Sequence, residues 1–378
     1  MKLLTIVGAR PQFIKAAVVS RAIASYNQTA SNRIEEIIIH TGQHYDSNMS
    51  DIFFEEMDIP KPHYNLGVGS GNHGEQTSRM LIELEKLLIK EKPDMVLVYG
   101  DTNSTLAGAL AASKLHIPIA HVEAGLRSFN RDMPEEINRI FTDHVSDILF
   151  CPTDTAVENL KNEGIPNKNI KSKVIKTGDV MLDAAVYYSK ISTDKWLKEN
   201  NLNAGNYILA TVHRAENTDS AERLSNIIDA LAKLSDNYYQ VVFPMHPRTK
   251  NIIASDEKIK NKLKNSSIKV VQPIGYIDMI TAEKNCRLIM TDSGGMQKEA
   301  FFHKKLCITL RTETEWVELV NSGWNGLTSL DSDKIIDSVE QMLKVDSSKL
   351  AYPDLFGDGR AGEQIVLKLA DFINYTRC

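Results

Sequence analysis

The sequence predicts an α/β protein made of two doubly wound, Rossmann-like domains. Short runs rich in Ile, Val and Leu alternate with longer helical patterns along the chain, which is typical of parallel sheets covered by helices on both faces. A chain of 378 residues also exceeds what one hydrophobic core usually serves, so two domains of roughly 150–200 residues are expected. The predicted strands are residues 3–7, 36–40, 95–99, 117–122, 148–151, 207–212, 241–245, 268–271, 287–290 and 307–310.

The predicted domains are residues 1–172 and 173–357. They are separated by a connection from residue 164 to residue 173, which contains Pro166 and three lysines. A strand at residues 173–177 is expected to open the second domain. The last helix, within residues 358–378, follows a glycine-containing loop and is expected to pack back on the first domain.

Composition excludes several classes of protein. The net charge of −5 and the absence of a long Lys/Arg run argue against general binding to nucleic acid or to a membrane surface. The apolar runs are too short to span a bilayer, and the first residues do not resemble a signal peptide, so a cytoplasmic protein is expected. The four cysteines lack the spacing of metal ligands, so no metal site is predicted.

The turn Asp292-Ser293-Gly294-Gly295 follows an apolar strand and opens a helix. Such a turn directs backbone N–H groups at one point, and its glycines let an anion come close. Glu299 lies farther along the same helix, where a carboxylate suits two ribose hydroxyls. Taken alone, the turn could be an ordinary capped helix start; together, phosphate and ribose groups predict a nucleotide site.

Polar motifs also follow several more of the predicted strands. They are Gly8-Ala9-Arg10, Gly100-Asp101, Glu123-Ala124-Gly125, His213-Arg214 and His246-Pro247-Arg248. Ligands of doubly wound sheets bind outside the carboxyl ends of the strands, so two such domains facing one another would place these motifs along one cleft. Arg10 and Lys15 are suited to binding phosphate oxygens there.

Three carboxylates, Asp101, Glu123 and Glu135, are expected at this rim. Asp101 could instead cap a helix, and Glu135 with Glu136 could merely favour a helix start. If they converge, crowding and partial burial would raise their pKa values and suit them to general acid–base chemistry. His213 could hydrogen-bond a leaving phosphate or transfer a proton.

Together these motifs resemble the non-hydrolysing UDP-N-acetylglucosamine 2-epimerases, nearly from end to end. They are Gly8-Ala9-Arg10-Pro11-Gln12-Phe13-Ile14-Lys15, Thr41-Gly42-Gln43-His44, Gly100-Asp101-Thr102-Asn103-Ser104-Thr105, His121-Val122-Glu123-Ala124-Gly125-Leu126-Arg127, Pro134-Glu135-Glu136-Ile137-Asn138-Arg139, His213-Arg214-Ala215-Glu216-Asn217 and Thr291-Asp292-Ser293-Gly294-Gly295. The resemblance implies a glycosyltransferase-B-like fold, a UDP-sugar substrate, no cofactor, no metal and a homodimer.

The resemblance also implies roles for individual residues. The positions that match catalytic residues are Asp101, Glu123, Glu135 and His213. The positions that match nucleotide-sugar contacts are Arg10, Lys15, Ser293, Gly294, Gly295 and Glu299. Some bacterial members bind a second UDP-sugar as an activator, and the matching positions are Gln43, His44, Glu136, Arg214 and His246.

The implied reaction interconverts UDP-N-acetylglucosamine and UDP-N-acetylmannosamine for bacterial surface polysaccharides. UDP is eliminated to give 2-acetamidoglucal and then added back, which requires proton transfer on both faces of C2. Gln12 and Trp316 depart from the usual family residues and resemble a branch acting on UDP-2,3-diacetamido-2,3-dideoxyglucuronate. The rival functions that a UDP-sugar site allows are a hydrolysing epimerase, a retaining glycosyltransferase of the same fold and a non-catalytic nucleotide-sugar sensor.

Overall fold

The computed structural model describes residues 1–43, 60–167 and 172–376. Over these residues the chain forms two parallel sheets connected through helices. It divides into two compact units: the first is Met1–Ala184 with Asp354–Cys378, and the second is Ala185–Pro353. The predicted class, α/β with two Rossmann-like sheets, is confirmed.

The first unit contains a parallel sheet whose described strands have the order β3-β2-β1-β4-β5-β6-β7. The strands are β1 (Lys2–Val7), β2 (Glu35–His40), β3 (Tyr64–Asn65), β4 (Met95–Tyr99), β5 (Ile119–Val122), β6 (Ile148–Cys151) and β7 (Lys173–Lys176). The helices are α1 (Arg10–Thr29), α2 (His73–Glu91), α3 (Asn103–Lys114), α4 (Pro134–Val145), α5 (Asp154–Asn162) and α6 (Val180–Ile191), the last of which continues into the second unit.

The strand order of the first unit reverses at β1, because β2 and β3 extend the sheet on one side and β4 to β7 on the other. All five residues of β4 are buried, as expected for a strand covered on both faces. On one side of the sheet Leu4 and Val96 pack with Met80 and Leu84 of α2. The ends of β1 and β4 therefore flank a topological switch point, where doubly wound folds bind their ligands.

One prediction about the domain order is wrong. The strand expected to open the second domain is β7, which pairs in parallel with β6 and forms the edge of the first sheet. The N–H of Lys173 donates to the carbonyl of Asp147, which sets this register. A strand of only four residues, Lys-Val-Ile-Lys, does not specify which sheet it joins. The division between the units falls instead after Ala184, within α6.

The second unit contains a parallel sheet with the order β10-β9-β8-β11-β12-β13. Its strands are β8 (Tyr207–Thr211), β9 (Gln240–Pro244), β10 (Lys269–Val271), β11 (Leu288–Thr291), β12 (Cys307–Thr309) and β13 (Asn325–Leu327). Its helices are α7 (Lys195–Glu199), α8 (Ala215–Thr218), α9 (Ala221–Asn237), α10 (Pro247–Ser255), α11 (Glu257–Lys264), α12 (Tyr276–Asn285), α13 (Gly294–Phe302), α14 (Val317–Asn321) and α15 (Ser332–Leu343). The order reverses between β8 and β11, so a second switch point lies at their ends.

The C-terminal helix, α16 (Ala361–Thr376), belongs to the first unit and packs against α1. Gly362 permits this approach, because a Cβ there would lie 2.7 Å from the side chain of Val18. The carboxylate of Asp183 accepts the N–H groups of Ala361 and Gly362 at 3.0 and 2.8 Å and so caps the helix. No helix in the described ranges is long and apolar enough to cross a bilayer.

Candidate active site

The turn after β1 is held by Gln12, which is buried. Its side-chain oxygen accepts the N–H groups of Gly8 and Ala9 at 2.8 and 3.1 Å, and its nitrogen donates to the Tyr99 carbonyl at 2.8 Å. This amide therefore ties the end of β1 to the end of β4. Arg10, the first residue of α1, is partly exposed beside this turn.

Lys15 and Glu123 meet at the same edge of the sheet. The ammonium group of Lys15 donates to Oε2 of Glu123, and both side chains are largely buried. Glu123 follows β5 with a φ of 72°, a left-handed conformation that is strained for a residue with a side chain. Strain of this kind persists only where the surroundings enforce it. Here a predicted phosphate-binding residue and a predicted catalytic carboxylate contact each other directly.

Asp101 follows β4 and is paired with Arg139 of α4. The guanidinium group donates from Nε and Nη2 to Oδ2 of Asp101 at 2.9 and 2.7 Å. The Arg139 side chain is 3% exposed and that of Asp101 is 30% exposed, so a buried cation orients a partly accessible carboxylate. The adjacent helix α3 is capped by the side chain of Thr102, so the helix-capping explanation of Asp101 is wrong.

Glu136 also pairs with Arg139, whose Nη1 donates to it at 2.8 Å. Its carboxylate accepts the N–H groups of Ser128 and Phe129 at 3.0 and 2.9 Å. Burial raises the pKa of Glu136, but these donors outweigh burial and hold the pKa below its usual value. Its neighbour Glu135, in the first turn of α4, is partly exposed.

A buried network lies behind these carboxylates. His121 of β5 contacts the Gly100 carbonyl through Nε2 at 2.8 Å and Oδ1 of Asp143 through Nδ1 at 2.7 Å. The second oxygen of Asp143 accepts from Arg127 at 2.7 Å and from the N–H of Gly125 at 3.1 Å. The network thus links the turns that follow β4 and β5.

In the second unit, Asp292 organises the turn that follows β8. Its fully buried carboxylate accepts the N–H groups of His213 at 3.0 Å and Arg214 at 3.0 Å and the side-chain amide of Asn217 at 3.1 Å. Burial lowers the pKa of His213 from its ordinary value, although the charge of Asp292 opposes this effect. His213 is therefore held as neutral imidazole near neutral pH, beside the ring of His246 at 5.1 Å.

The predicted phosphate turn is a helix start with little space around it. Ser293 is the N-cap of α13, and its hydroxyl accepts the N–H of Met296. A Cβ at Gly294 would overlap Oε1 of Glu315, whereas a Cβ at Gly295 would meet nothing closer than 3.8 Å. Gly294 therefore permits a close approach that a larger residue would block.

Trp316 lies beside this turn with its ring edge toward it. Its Nε1 atom would be 3.4 Å from a Cβ at Gly294, and the ammonium group of Lys298 lies 4.3 Å from the ring centroid. Glu315 pairs with Arg311 at 3.1 Å and lies 3.9 Å from Arg214. Position 316 thus carries no positive charge beside the Gly294 turn. The nearby positive charges come from Arg214 and Arg311.

Glu299 of α13 is largely buried. Burial, and then the charge of Glu299, raise the pKa values of Tyr276 and Glu283, which lie on α12. The second unit therefore places Glu299 within a group of buried ionisable side chains.

The predicted second-ligand residues are distributed over both units. Gln43 accepts the N–H and hydroxyl of Ser104 at 3.1 and 2.7 Å, and Glu136 holds the backbone at residues 128 and 129. Arg214 and His246 lie beside His213 in the second unit. His44 lies outside the described residues. No group of three or more potential metal ligands lies within the described ranges.

Comparison with known proteins establishes the family. The family model described as UDP-N-acetylglucosamine 2-epimerase matches residues 27–370. The chain belongs to the UDP-N-acetylglucosamine 2-epimerase family. The protein is accordingly an isomerase, and its two Rossmann-like units form the glycosyltransferase-B-like fold of these epimerases.

Individual relatives of this epimerase are similar over nearly their whole length. UDP-2,3-diacetamido-2,3-dideoxy-D-glucuronate 2-epimerase of Pseudomonas aeruginosa is 53% identical, over 98% of this chain and 99% of that protein. UDP-N-acetylglucosamine 2-epimerase of Methanocaldococcus jannaschii is 48% identical, over 97% of this chain and 98% of that protein. The crystal structure of the M. jannaschii enzyme in complex with UDP-GlcNAc and UDP matches with a TM-score of 0.89 at 47% identity, covering 98% of this chain and 99% of that one.

No role was predicted from the sequence for three residues that connect the candidate catalytic groups, namely Arg139, His121 and Asp143. A signal for Arg139 was present, because it lies three and four residues after Glu136 and Glu135 and so shares their face of α4. No such spacing connects His121 with Asp143, which are 22 residues apart and meet only in the folded chain.

Proposed function

We propose that the protein inverts the configuration at C2 of a UDP-linked 2-acetamido sugar without hydrolysing it, converting UDP-N-acetylglucosamine to UDP-N-acetylmannosamine. The observation that carries this proposal is the pair of carboxylates at the ends of the neighbouring strands β4 and β5. Asp101 is held by Arg139, and Glu123 is held by Lys15. Two separately oriented carboxylates supply a base for one face of C2 and an acid for the opposite face. Glu135, at the start of α4, is the third candidate for proton transfer.

The proposed reaction has two steps. A carboxylate removes the proton from C2 while the bond between C1 and the UDP oxygen breaks. The C–H electron pair becomes the C1–C2 double bond of 2-acetamidoglucal, and UDP departs with the electrons of its bond to C1. A carboxylic acid on the opposite face then protonates C2, and the UDP oxygen adds to C1. Atoms and electrons balance without an oxidant or reductant.

The groups proposed to bind UDP are Arg10 and the turn at Ser293, Gly294 and Gly295. Arg10 matches phosphate oxygens in shape and charge, and the helix start at Ser293 offers backbone N–H groups. Neutral His213 can donate one hydrogen bond to the departing diphosphate.

Two further residues are proposed to support the bound nucleotide. Glu299 is assigned to the ribose hydroxyls. Lys15 is assigned to the phosphates as well, but its contact with Glu123 adds a second role. We propose that it keeps this carboxylate ionised until UDP departs, because a nearby cation favours the charged form.

A second candidate substrate is UDP-2,3-diacetamido-2,3-dideoxyglucuronate. Support for it comes from the 53% identity with the P. aeruginosa protein that is named for this substrate. The M. jannaschii protein named for UDP-N-acetylglucosamine is 48% identical. Both substrates present the same reacting atoms, so the proposed mechanism applies to either one.

The function is tested by incubating the pure protein with UDP-N-acetylglucosamine and following the products by ¹H and ³¹P NMR. UDP-N-acetylmannosamine should appear in equilibrium with the substrate, without free sugar. Accumulation of UDP with free N-acetylmannosamine would show a hydrolysing epimerase, and UDP release only with an added acceptor would show a glycosyltransferase. Binding without turnover of either candidate UDP-sugar would identify a sensor.

We further propose a cytoplasmic homodimer that binds a second UDP-sugar through Gln43, Glu136, Arg214 and His246. Resemblance to the epimerases supports both the homodimer and the second UDP-sugar site. Arg214 and His246 lie beside His213, which supports an effect of the second ligand on catalysis. Light scattering should give twice the chain mass of 42.3 kDa. Sigmoidal dependence of the rate on UDP-N-acetylglucosamine, lost in His246→Ala, would indicate the second site.

A further inference from the structure

His121 occupies a position from which it contacts both strand ends that bear the proposed catalytic carboxylates. It lies on β5 two residues before Glu123, and its side chain is fully buried. The ring reaches across to the carbonyl of Gly100, the residue before Asp101. One imidazole therefore connects the turn carrying Asp101 with the strand leading to Glu123.

The partners of the ring determine where its hydrogens are. Nε2 lies 2.8 Å from the Gly100 carbonyl oxygen. A carbonyl oxygen can only accept, so this nitrogen must carry a hydrogen. Nδ1 lies 2.7 Å from Oδ1 of Asp143. This second contact requires a hydrogen on Nδ1 if Asp143 is ionised.

Asp143 is placed as a carboxylate. Its second oxygen accepts from Arg127 at 2.7 Å and from the N–H of Gly125 at 3.1 Å. Burial raises the pKa of Asp143, whereas the charge and hydrogen bond of Arg127 lower it. Because Arg127 is a permanent cation, it favours the carboxylate form of Asp143 independently of His121. An ionised Asp143 accepts hydrogen bonds only, so both nitrogens of His121 carry hydrogen.

We propose that His121 is held as an imidazolium cation and is a positioning residue for the proposed epimerisation, on which this role rests. The cation fixes the Gly100 carbonyl and thereby the separation between Asp101 and Glu123. It also places positive charge near the carboxylate that acts as the base, and so stabilises the ionised form of that base.

The surroundings of Gly100 show why this carbonyl matters. Gly100 has a φ of 61°, and a Cβ there would lie 3.2 Å from both Oε2 of Glu123 and Nζ of Lys15. The turn therefore lies against the Lys15–Glu123 pair, and His121 binds its carbonyl. A shift of Gly100 would change the position of Asp101 relative to Glu123.

Charged and titratable groups surround the imidazole from every neighbouring element. Asp143 comes from α4 and Arg127 from the segment after β5; Arg127 in turn pairs with Glu163 at 2.7 Å. Cys151 of β6 lies near Asp143 and Arg127, and burial with the charge of Asp143 raises the pKa of its thiol. The charged groups next to the Gly100 turn itself are Lys15, Glu123, Asp101 and Arg139.

The charge state is tested directly by ¹⁵N NMR of the protein labelled at histidine. The His121 signals are identified by their loss in His121→Gln. Both ring nitrogens should show the shifts of protonated imidazolium at pH 7.5, and Asp143→Asn should convert the ring to a neutral tautomer. A neutral His121 ring in the wild-type protein at pH 7.5 would overturn the proposal, whatever the enzyme's activity.

The positioning role is tested by kinetics of His121→Gln, with His144→Gln as the matched control. His144 lies next to Asp143 on α4, but it is exposed and contacts the Ile140 carbonyl. His121→Gln should lower kcat about tenfold or more and leave the Kd of UDP within about twofold. Loss of the cation should raise the pKa of the carboxylate that acts as the base and move the acid limb of kcat/KM upward by about half a pH unit or more.

The outcomes separate the two proposals. An unchanged acid limb together with a native kcat in His121→Gln would refute the positioning role. A wild-type protein inactive on both UDP-sugars would refute the proposed function, while the NMR shifts would still report the imidazolium. If His121→Gln does not fold, Asp143→Asn supplies both the spectroscopic and the kinetic comparison.

Discussion

Arg139 donates two hydrogen bonds, at 2.9 and 2.7 Å, to a single carboxylate oxygen of Asp101. The guanidinium group is buried and also pairs with Glu136, so its orientation is fixed from two sides. Because both hydrogen bonds fall on Oδ2, the carboxylate is fixed in orientation, and its other oxygen is the one proposed to transfer a proton. This pairing makes the role of Asp101 testable by substitutions that keep its shape.

Replacing Asp101 by Asn, Glu123 by Gln or Glu135 by Gln should each lower kcat by roughly two or more orders of magnitude, because an amide cannot exchange a proton with C2. Binding of UDP, measured by calorimetry, should persist. Asp154→Asn is the control, since this exposed carboxylate at the start of α5 pairs with a surface lysine. Near-native rates in all three variants would instead support purely structural roles for these carboxylates.

Replacing Gln12 by Glu should lower the free energy of unfolding by about 1–3 kcal/mol. The Gln12 nitrogen donates to the Tyr99 carbonyl at 2.8 Å and to the Thr105 hydroxyl at 2.9 Å. A carboxylate would lose both donors and face a buried carbonyl oxygen. Urea denaturation measures the change, and Gln28→Glu on the exposed side of α1 is the control. Equal stability of the two variants would contradict the role assigned to the Gln12 amide.

His303 should make the protein less stable as the pH falls below about 6.5. In the folded state, burial is the largest effect on the pKa of His303, which is lowered to about 4. A histidine in the unfolded chain has a pKa near 6.5. The unfolded chain therefore binds more protons between these values, so acid favours unfolding. Relative to His303→Gln, the wild-type free energy of unfolding should fall by about 2–3 kcal/mol between pH 7.5 and 4.5.

The control for this pH dependence is His144→Gln, which removes an exposed histidine. It should leave the difference between the two pH values unchanged. Parallel pH profiles for wild-type protein and His303→Gln would show that His303 does not titrate differently in the folded and unfolded states.

The sugar preference should appear as a ratio of kcat/KM for UDP-N-acetylglucosamine and the 2,3-diacetamido uronate. A ratio above about one hundred, or roughly 2.7 kcal/mol of transition-state binding, would identify the substrate. The ring edge of Trp316 faces the Gly294 turn. If the side chain at position 316 determines which sugar is preferred, Trp316→Arg should change this ratio. An unchanged ratio would exclude position 316 as the determinant.

The fold class and the positions of the polar motifs could be predicted from sequence, because strands and helices alternate and the ends of parallel strands share one edge. The sheet to which β7 belongs could not, because its four residues do not specify a neighbour. The same holds for β3 and β13, which are two and three residues long. Such strands are defined by their partners rather than by a local pattern.

Residue types at the site could be predicted, but their partners could not. Lys15 and Glu123 are 108 residues apart. No pattern in the local sequence indicates that this lysine, which was predicted to bind phosphate, pairs with a carboxylate. In the sequence, Gln12 departs from the usual family residue near the turn after β1, but nothing there shows what it contacts. The folded chain reveals that its amide bridges two strand ends, a contact that depends on the packing of β1 against β4.

The central claim, epimerisation through elimination at C2, is tested most directly by running the reaction in D₂O with the preferred UDP-sugar. The proton removed from C2 passes to a carboxylate that exchanges with solvent before re-protonation. NMR of the product should therefore show deuterium at C2. Epimerisation with complete retention of the original C2 proton would contradict the elimination mechanism and the roles proposed for Asp101 and Glu123.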